Sequence, residues 1–229
     1  MTVHRFFVEP VAMSGAQFPL PDEIAYQVTR VLRLHDGEQI VLLDGLGEAA
    51  NARLLHGDCV VEWRGPAGGE TAHRLTVSQA LLRGDHLEPV IRHGTEIGIA
   101  AFRLFVSERC VVRELSPRKL DRLRAVAREA AEQSERGMVP EVSAPVPFAD
   151  ALESTSVLLF ERHEGTRLST LEPPGGLVIG PEGGFTPDEV AAAEQAGTPI
   201  AGLGPRILRS ESVAVAAAAV VLSRTGDFA

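Results

Sequence analysis

The chain has little cysteine, a single lysine and few aromatic residues. Cys59 and Cys110 are the only thiols in 229 residues. Each sits inside an apolar stretch, with no second thiol nearby at metal-ligand spacing. That excludes a disulfide framework and predicts two reduced, buried cysteines. The seven histidines are scattered singly, so no zinc site or other metal is expected. Long apolar runs are missing too. The longest, Val213 to Leu222, has ten residues and is half alanine, too short to span a bilayer. Met1 to Pro10 carries Arg5 and Glu9 and has no signal-peptide core. A cytoplasmic protein without membrane association is the expectation.

What is present is ordinary globular material, 45% apolar and 23% charged, enough for one large domain or two smaller ones. The net charge of −9 speaks against a nucleic-acid partner, but the charge is unevenly spread. Residues 1–70 hold 5 basic and 10 acidic side chains, residues 71–140 hold 12 and 9, and residues 141–229 hold 5 and 12. The middle of an acidic chain is therefore locally basic, and phosphate binding draws on such clusters.

From Val3 to Arg64 the pattern is β. Val3–Val8, Gln39–Leu43, Ala52–Leu55 and Val60–Trp63 read as strands separated by Asp-Gly and Gly-Asp turns. One helix, Pro21–Leu34, interrupts them. Gly65-Pro66-Ala67-Gly68-Gly69 reads as a linker, which predicts a small barrel-like β domain over residues 1–70. Beyond it, strands alternate with helices. Arg74–Leu82, Ala101–Ser107, Val157–Phe160, Leu177–Ile179 and Ile200–Leu203 are strand-like; 87–96, 116–135, 187–196 and 212–224 are helical. This rhythm predicts a largely parallel sheet with helices on both faces over residues 71–229.

Two loops follow short strands and precede helices. Gly180-Pro181-Glu182-Gly183-Gly184 leads into Thr186-Pro187-Asp188-Glu189, a capping box with proline at the first helical position. It is not a Walker loop, because no Lys-Ser or Lys-Thr follows the glycines. Leu203-Gly204-Pro205-Arg206-Ile207-Leu208-Arg209 leads into an alanine-rich helix. Each loop alone is readable as a plain strand-to-helix turn. Together they stand at adjacent strand ends, where open α/β sheets build ligand sites. Gly45-Leu46-Gly47-Glu48-Ala49-Ala50 fits a dinucleotide fingerprint, but strands follow it instead of a crossover helix, so a hairpin turn is expected.

Seven segments in chain order resemble the RsmE-type 16S ribosomal RNA uracil-N3 methyltransferases of the SPOUT superfamily. They are His4-Arg5-Phe6-Phe7-Val8, Val31-Leu32-Arg33-Leu34, Glu96-Ile97-Gly98, Ser107-Glu108-Arg109, Glu132-Gln133-Ser134 with Arg136, and the two glycine loops. The family's lysine-alanine-threonine-glutamate-leucine-glycine helix reads His93-Gly94-Thr95-Glu96-Ile97-Gly98 here. The resemblance implies a PUA-like RNA-binding β-barrel over residues 1–70. It implies an α/β SPOUT methyltransferase domain over residues 71–229, with a C-terminal trefoil knot. S-adenosylmethionine would be held by Gly180, Pro181, Glu182, Gly183, Gly184, Leu203, Gly204, Ile207 and Leu208. Arg209, Arg136 from a partner subunit and Glu182 would serve catalysis, and Arg5, Arg33, Gln133, Arg136 and Arg206 would contact RNA. A homodimer acting on 16S ribosomal RNA within the small subunit is implied as well.

Overall fold

A computed structural model describes residues 3–152, 155–161, 163 and 165–228, and the chain forms two units. The first holds Met1–Glu70 together with Ala131–Val139. Its strands are β1 (His4–Phe7), β2 (Gln17–Pro19), β3 (Gln39–Leu43), β4 (Glu48–Leu55) and β5 (Asp58–Pro66). They form one sheet in the order β1-β3-β4-β5-β2, with β1 parallel to β3 and the other pairs antiparallel.

The fingerprint-like glycines are the β3–β4 hairpin, as its strand context requires. Gly45 and Gly47 have φ of +74° and +115°, and the Asp44 carboxylate accepts from Leu46 N and Glu48 N at 2.8 and 2.9 Å. Such an Asx turn satisfies amides that no strand can pair. Gly65 and Pro66, read as linker, instead end β5, because Ala49 and Glu48 pair with them. The helix read over Pro21–Leu34 is shorter. α1 (Asp22–Tyr26) widens into a π turn at Gln27–Val31 and stops where Arg33 takes φ +56°.

Successive strand residues point to opposite faces, and both Phe6 and Phe7 are buried, so both faces of this sheet are covered. Phe6, Leu42 and Ala50 pack with Ile24 and Val28 from the helical segment. Phe7, Leu43 and Ala49 pack with Ala131. Cys59 lies in the first of these cores; burial, with the Asp58 carboxylate adding, pushes its thiol up to about 11. Both cysteines are buried and unpaired.

The second unit holds Thr71–Ala130 and Pro140–Ala229. In chain order it contains β6 (Thr76–Ala80), α2 (Leu87–Glu96), β7 (Ala101–Val106), α3 (Pro117–Gln133), β8 (Glu141–Val142), β9 (Val146–Pro147), β10 (Ser156–Leu159), β11 (Gly176–Ile179), α4 (Pro187–Gln195), β12 (Ile200–Ala201) and α5 (Ser210–Arg224). The last residues of α3 belong to the first unit. The strands pair in parallel in the order β12-β10-β11-β6-β7-β8, with β9 also on β7. Every residue of β10 and β11 is buried, as a parallel sheet covered on both faces demands. α5 packs on α2 and β11 rather than beside β12, which it follows.

Candidate active site

β6 and β11 are neighbours whose connections run to opposite sides of the sheet, β6 on to β7 and β11 on to β12. Loops at the carboxyl ends of strands diverge at such a point and leave a crevice. The loops after β6, β10, β11 and β12 surround a cavity of about 550 Å³ there.

The loop after β11 is held from several sides. Pro181 O accepts from Gly184 N at 2.9 Å, and Gly184 has φ +66°. Arg109 donates to Gly183 O at 3.0 Å and Phe185 O at 3.2 Å. Phe185 is buried, stacked on Phe105 with centroids 6.4 Å apart and tilted against Phe148 at 5.5 Å. A Cβ on Gly180 would sit 3.1 Å from the Phe185 ring, so the chain passes that ring closely. The capping box is present. Glu189 N donates to Thr186 Oγ1 at 3.2 Å and Thr186 N donates to Glu189 Oε2 at 2.9 Å. Glu189 Oε1 also accepts from Glu108 N at 2.8 Å. The Ser107-Glu108-Arg109 segment therefore secures both the loop and the helix that follows it.

The two glycine loops are joined beneath the cavity. Ser210 Oγ donates to Gly180 O at 2.5 Å, and buried Gln79 donates to Gly180 O at 3.4 Å and Ser210 Oγ at 3.2 Å. Between them the chain is open to a ligand. Among the described residues, Leu203 through Leu208 make no main-chain hydrogen bond to protein. Gly204 has φ +121° and Ile207 is 78% exposed. Unpaired amides and carbonyls beside apolar side chains suit a flat heteroaromatic ring bearing donors and acceptors. That is the donor set an adenine nucleoside requires, and the cavity volume accommodates one.

Gly180 to Gly184, Leu203, Gly204, Arg206 to Arg209 and Glu182 all line this cavity. The Arg209 side chain is 84% exposed, 4.0 Å from Glu211. The Glu182 side chain is only 21% exposed, and its Oε1 accepts from Arg83 N at 2.9 Å. Arg5, Arg33, Gln133 and Arg136 belong to the first unit and do not line the cavity. Arg136 is 2% exposed and grips Glu70 through Nε and a terminal nitrogen at 3.2 and 2.7 Å. Arg5 pairs with Glu135 at 3.0 Å, while Arg33 and Gln133 are exposed. Sequence reasoning missed Arg83, His86 and Glu161, which also line the cavity. Arg83 and His86 directly follow the strand read over Arg74–Leu82, and the carboxyl end of a parallel strand was the signal that could have found them.

Among the described residues no cluster of histidine, cysteine, aspartate or glutamate could hold a metal ion, and no helix is long and apolar enough to cross a membrane.

Residues 69–222 match the RNA methyltransferase domain family. The chain belongs to this RNA methyltransferase family. A relative from Mycobacterium bovis, ribosomal RNA small subunit methyltransferase E, is 34% identical over 99% of this chain and 92% of its own length. The protein of the same name from Synechocystis is 32% identical over 95% of this chain and 77% of its own. The crystal structure of ribosomal RNA small subunit methyltransferase E from Neisseria gonorrhoeae bound to S-adenosyl methionine is 30% identical. It superposes with a TM-score of 0.90 over the full length of both chains. As an RNA methyltransferase, the chain shares its α/β fold and parallel sheet with that protein.

Proposed function

We propose that the protein transfers a methyl group from S-adenosylmethionine to N3 of a specific uridine in 16S ribosomal RNA of the small subunit. The observation that carries this reading is the loop Leu203–Leu208, whose main chain is unpaired while its flanks are tied to Gly180 through Ser210 and Gln79. The likeness over the full chain to an S-adenosylmethionine-bound ribosomal RNA methyltransferase supports it.

When bound, S-adenosylmethionine supplies an activated methyl group on its sulfonium. The residues of Gly180–Gly184, Leu203, Gly204, Ile207 and Leu208 would hold the cofactor, and the rigid loop after β11 excludes water from one side. The uracil N3–H gives its proton to solvent water, which leaves the negative charge largely on the two carbonyl oxygens of the base, where an exposed guanidinium beside the cavity stabilises it. N3 would then take the methyl group, which removes that charge, and S-adenosylhomocysteine leaves. Arg209 takes that role, with Arg206 on the RNA side. Glu182 is committed to Arg83 N and acts as an organiser of its loop. Burial and the bidentate pair with Glu70 assign Arg136 to holding the first unit together.

RNA grip falls to Arg5, Arg33, Gln133 and the basic stretch between Arg109 and Arg128. The mixed five-stranded sheet of the first unit supports a PUA-like barrel over residues 1–70. The return of α5 to α2 and β11, inward of β12, supports a trefoil knot in a SPOUT domain over residues 71–229. A homodimer working on the assembled small subunit in the cytoplasm, without a metal ion, completes the proposal.

Labelled S-adenosylmethionine and small subunits lacking the modification test it. Appearance of 3-methyluridine by mass spectrometry supports the reading, and absence of transfer with bound cofactor overturns the substrate. Arg209→Ala is expected to lower turnover about 100-fold or more while cofactor affinity stays within a factor of a few. Unchanged turnover would remove Arg209 from the mechanism.

A further inference from the structure

The loop after β6 meets both cavity loops at one side chain. His86 Nδ1 lies 3.9 Å from Glu182 Oε1 and 3.9 Å from Glu211 Oε2. Glu182 belongs to the loop after β11, and Glu211 to the first turn of α5, into which Leu203–Arg209 runs. Each carboxylate also has an arginine of its own. Arg83 Nε stands 3.8 Å from Glu182, and an Arg209 terminal nitrogen stands 4.0 Å from Glu211. Among the cationic side chains of the described residues, His86 alone comes within 4 Å of both carboxylates. Other charged groups near this corner are Glu161 and Arg206, which line the same cavity, Asp85, next to His86 in the chain, and Lys119, whose Nζ lies 3.5 Å from Asp85 Oδ1.

Two carboxylates that face one imidazole repel each other unless a cation stands between them. Both side chains are about one-fifth exposed, so their field is screened less than on an open surface. A positive charge on His86 gives the two loops a second link besides the Ser210 and Gln79 contacts that join them at Gly180.

We infer that His86 is a positioning residue that stands as the cation between Glu182 and Glu211 and so draws the loops after β11 and β12 together around S-adenosylmethionine. This rests on the proposal that these loops hold that cofactor. Lysine at position 86 keeps a cation at this corner, and asparagine removes it.

Calorimetric titration of S-adenosylmethionine into wild type, His86→Lys and His86→Asn tests the inference. His86→Asn is expected to bind about fivefold more weakly than His86→Lys, an effect the size of one favourable ion pair, and the gap should narrow at high salt. Equal affinities of the two variants overturn the inference. Hydrogen exchange of the cofactor-free proteins gives a second, independent readout. Peptides covering 180–185 and 203–211 should be better protected in His86→Lys than in His86→Asn. Equal protection overturns the bridge whatever the titration gives. Better protection in His86→Lys with no cofactor binding by any of the three proteins retains the bridge and overturns the cofactor assignment instead.

Discussion

Gly204 is the position in the cavity where one atom matters most. A Cβ there would meet nothing within 4 Å, yet φ is +121°, a conformation that side-chain-bearing residues avoid. The cost of Gly204→Ala is thus backbone strain of about 1–3 kcal/mol, and the loop relieves it by moving, since its main chain is tied to no other group among the described residues. Cofactor affinity is expected to fall about tenfold or more, each decade corresponding to about 1.4 kcal/mol. The melting temperature of the cofactor-free protein should hardly change; the reverse outcome would mean that the loop is a structural element. Arg136→Ala should behave oppositely. It takes the guanidinium from Glu70, whose side chain is 26% exposed and still accepts from Met138 N, at a cost of about 1–3 kcal/mol, measurable by urea unfolding. Nothing local in the sequence identifies that pair, because Glu70 and Arg136 are brought together only by the fold. Cys59 is readable without the structure as a buried thiol, and its elevated pKa makes a sharper statement. Below pH 9 it stays protonated in the native state, so labelling with a thiol reagent at pH 8 should require denaturant.

Elements were legible in the sequence where their ends are specified by local chemistry. Proline at 117 and 187 and the Thr186–Glu189 box mark α3 and α4 to within a residue or two, since capping satisfies amides within a single turn. The π turn at Gln27–Val31 left no trace, because an altered hydrogen-bond register does not change which side chains are apolar. β8 and β9, two residues each, are too short for periodicity to register. The strand order was also hidden, as parallel pairing joins segments far apart in the chain: the glycine loops were expected at adjacent strand ends, but β10 lies between β11 and β12. That is why the glycine loops could be recognised but the corner formed by Arg83, His86 and Glu161 could not. The cap itself is testable. Thr186→Ala removes the capping bond and a long 3.4 Å donation to Glu108 Oε2, and should cost about 1 kcal/mol. Glu189→Ala should cost more, about 2 kcal/mol, because Glu189 also accepts from Glu108 N and so secures the segment that carries Arg109. Equal losses in chemical denaturation would show that the Glu108 contact contributes nothing.

At the scale of the whole molecule, the first unit is not a continuous stretch of chain. A composition break near residue 70 is visible in the sequence, but the contribution of Ala131–Val139 is not, because that segment reads as the end of a long helix and a short loop. Its work in the first unit is considerable. Ala131 covers Phe7, Leu43 and Ala49, the Glu132 side chain accepts from Phe7 N at 3.3 Å, Arg136 holds Glu70, and Met138 bridges to Gly45 and Leu46. A fragment of residues 1–70 keeps the core around Phe6, Ile40 and Leu42 but exposes the other face of its sheet. Exposed apolar faces of that kind bind hydrophobic dyes and promote association. The fragment is therefore expected to bind such a dye and to unfold with weak cooperativity. Adding a peptide of residues 129–140 should suppress the dye signal and raise the melting temperature, since a ligand that binds only the folded form stabilises it. A fragment that melts cooperatively and ignores the peptide would mean that the face of Phe7 and Leu43 contributes little to folding, and that the segment around Arg136 is retained for a different purpose.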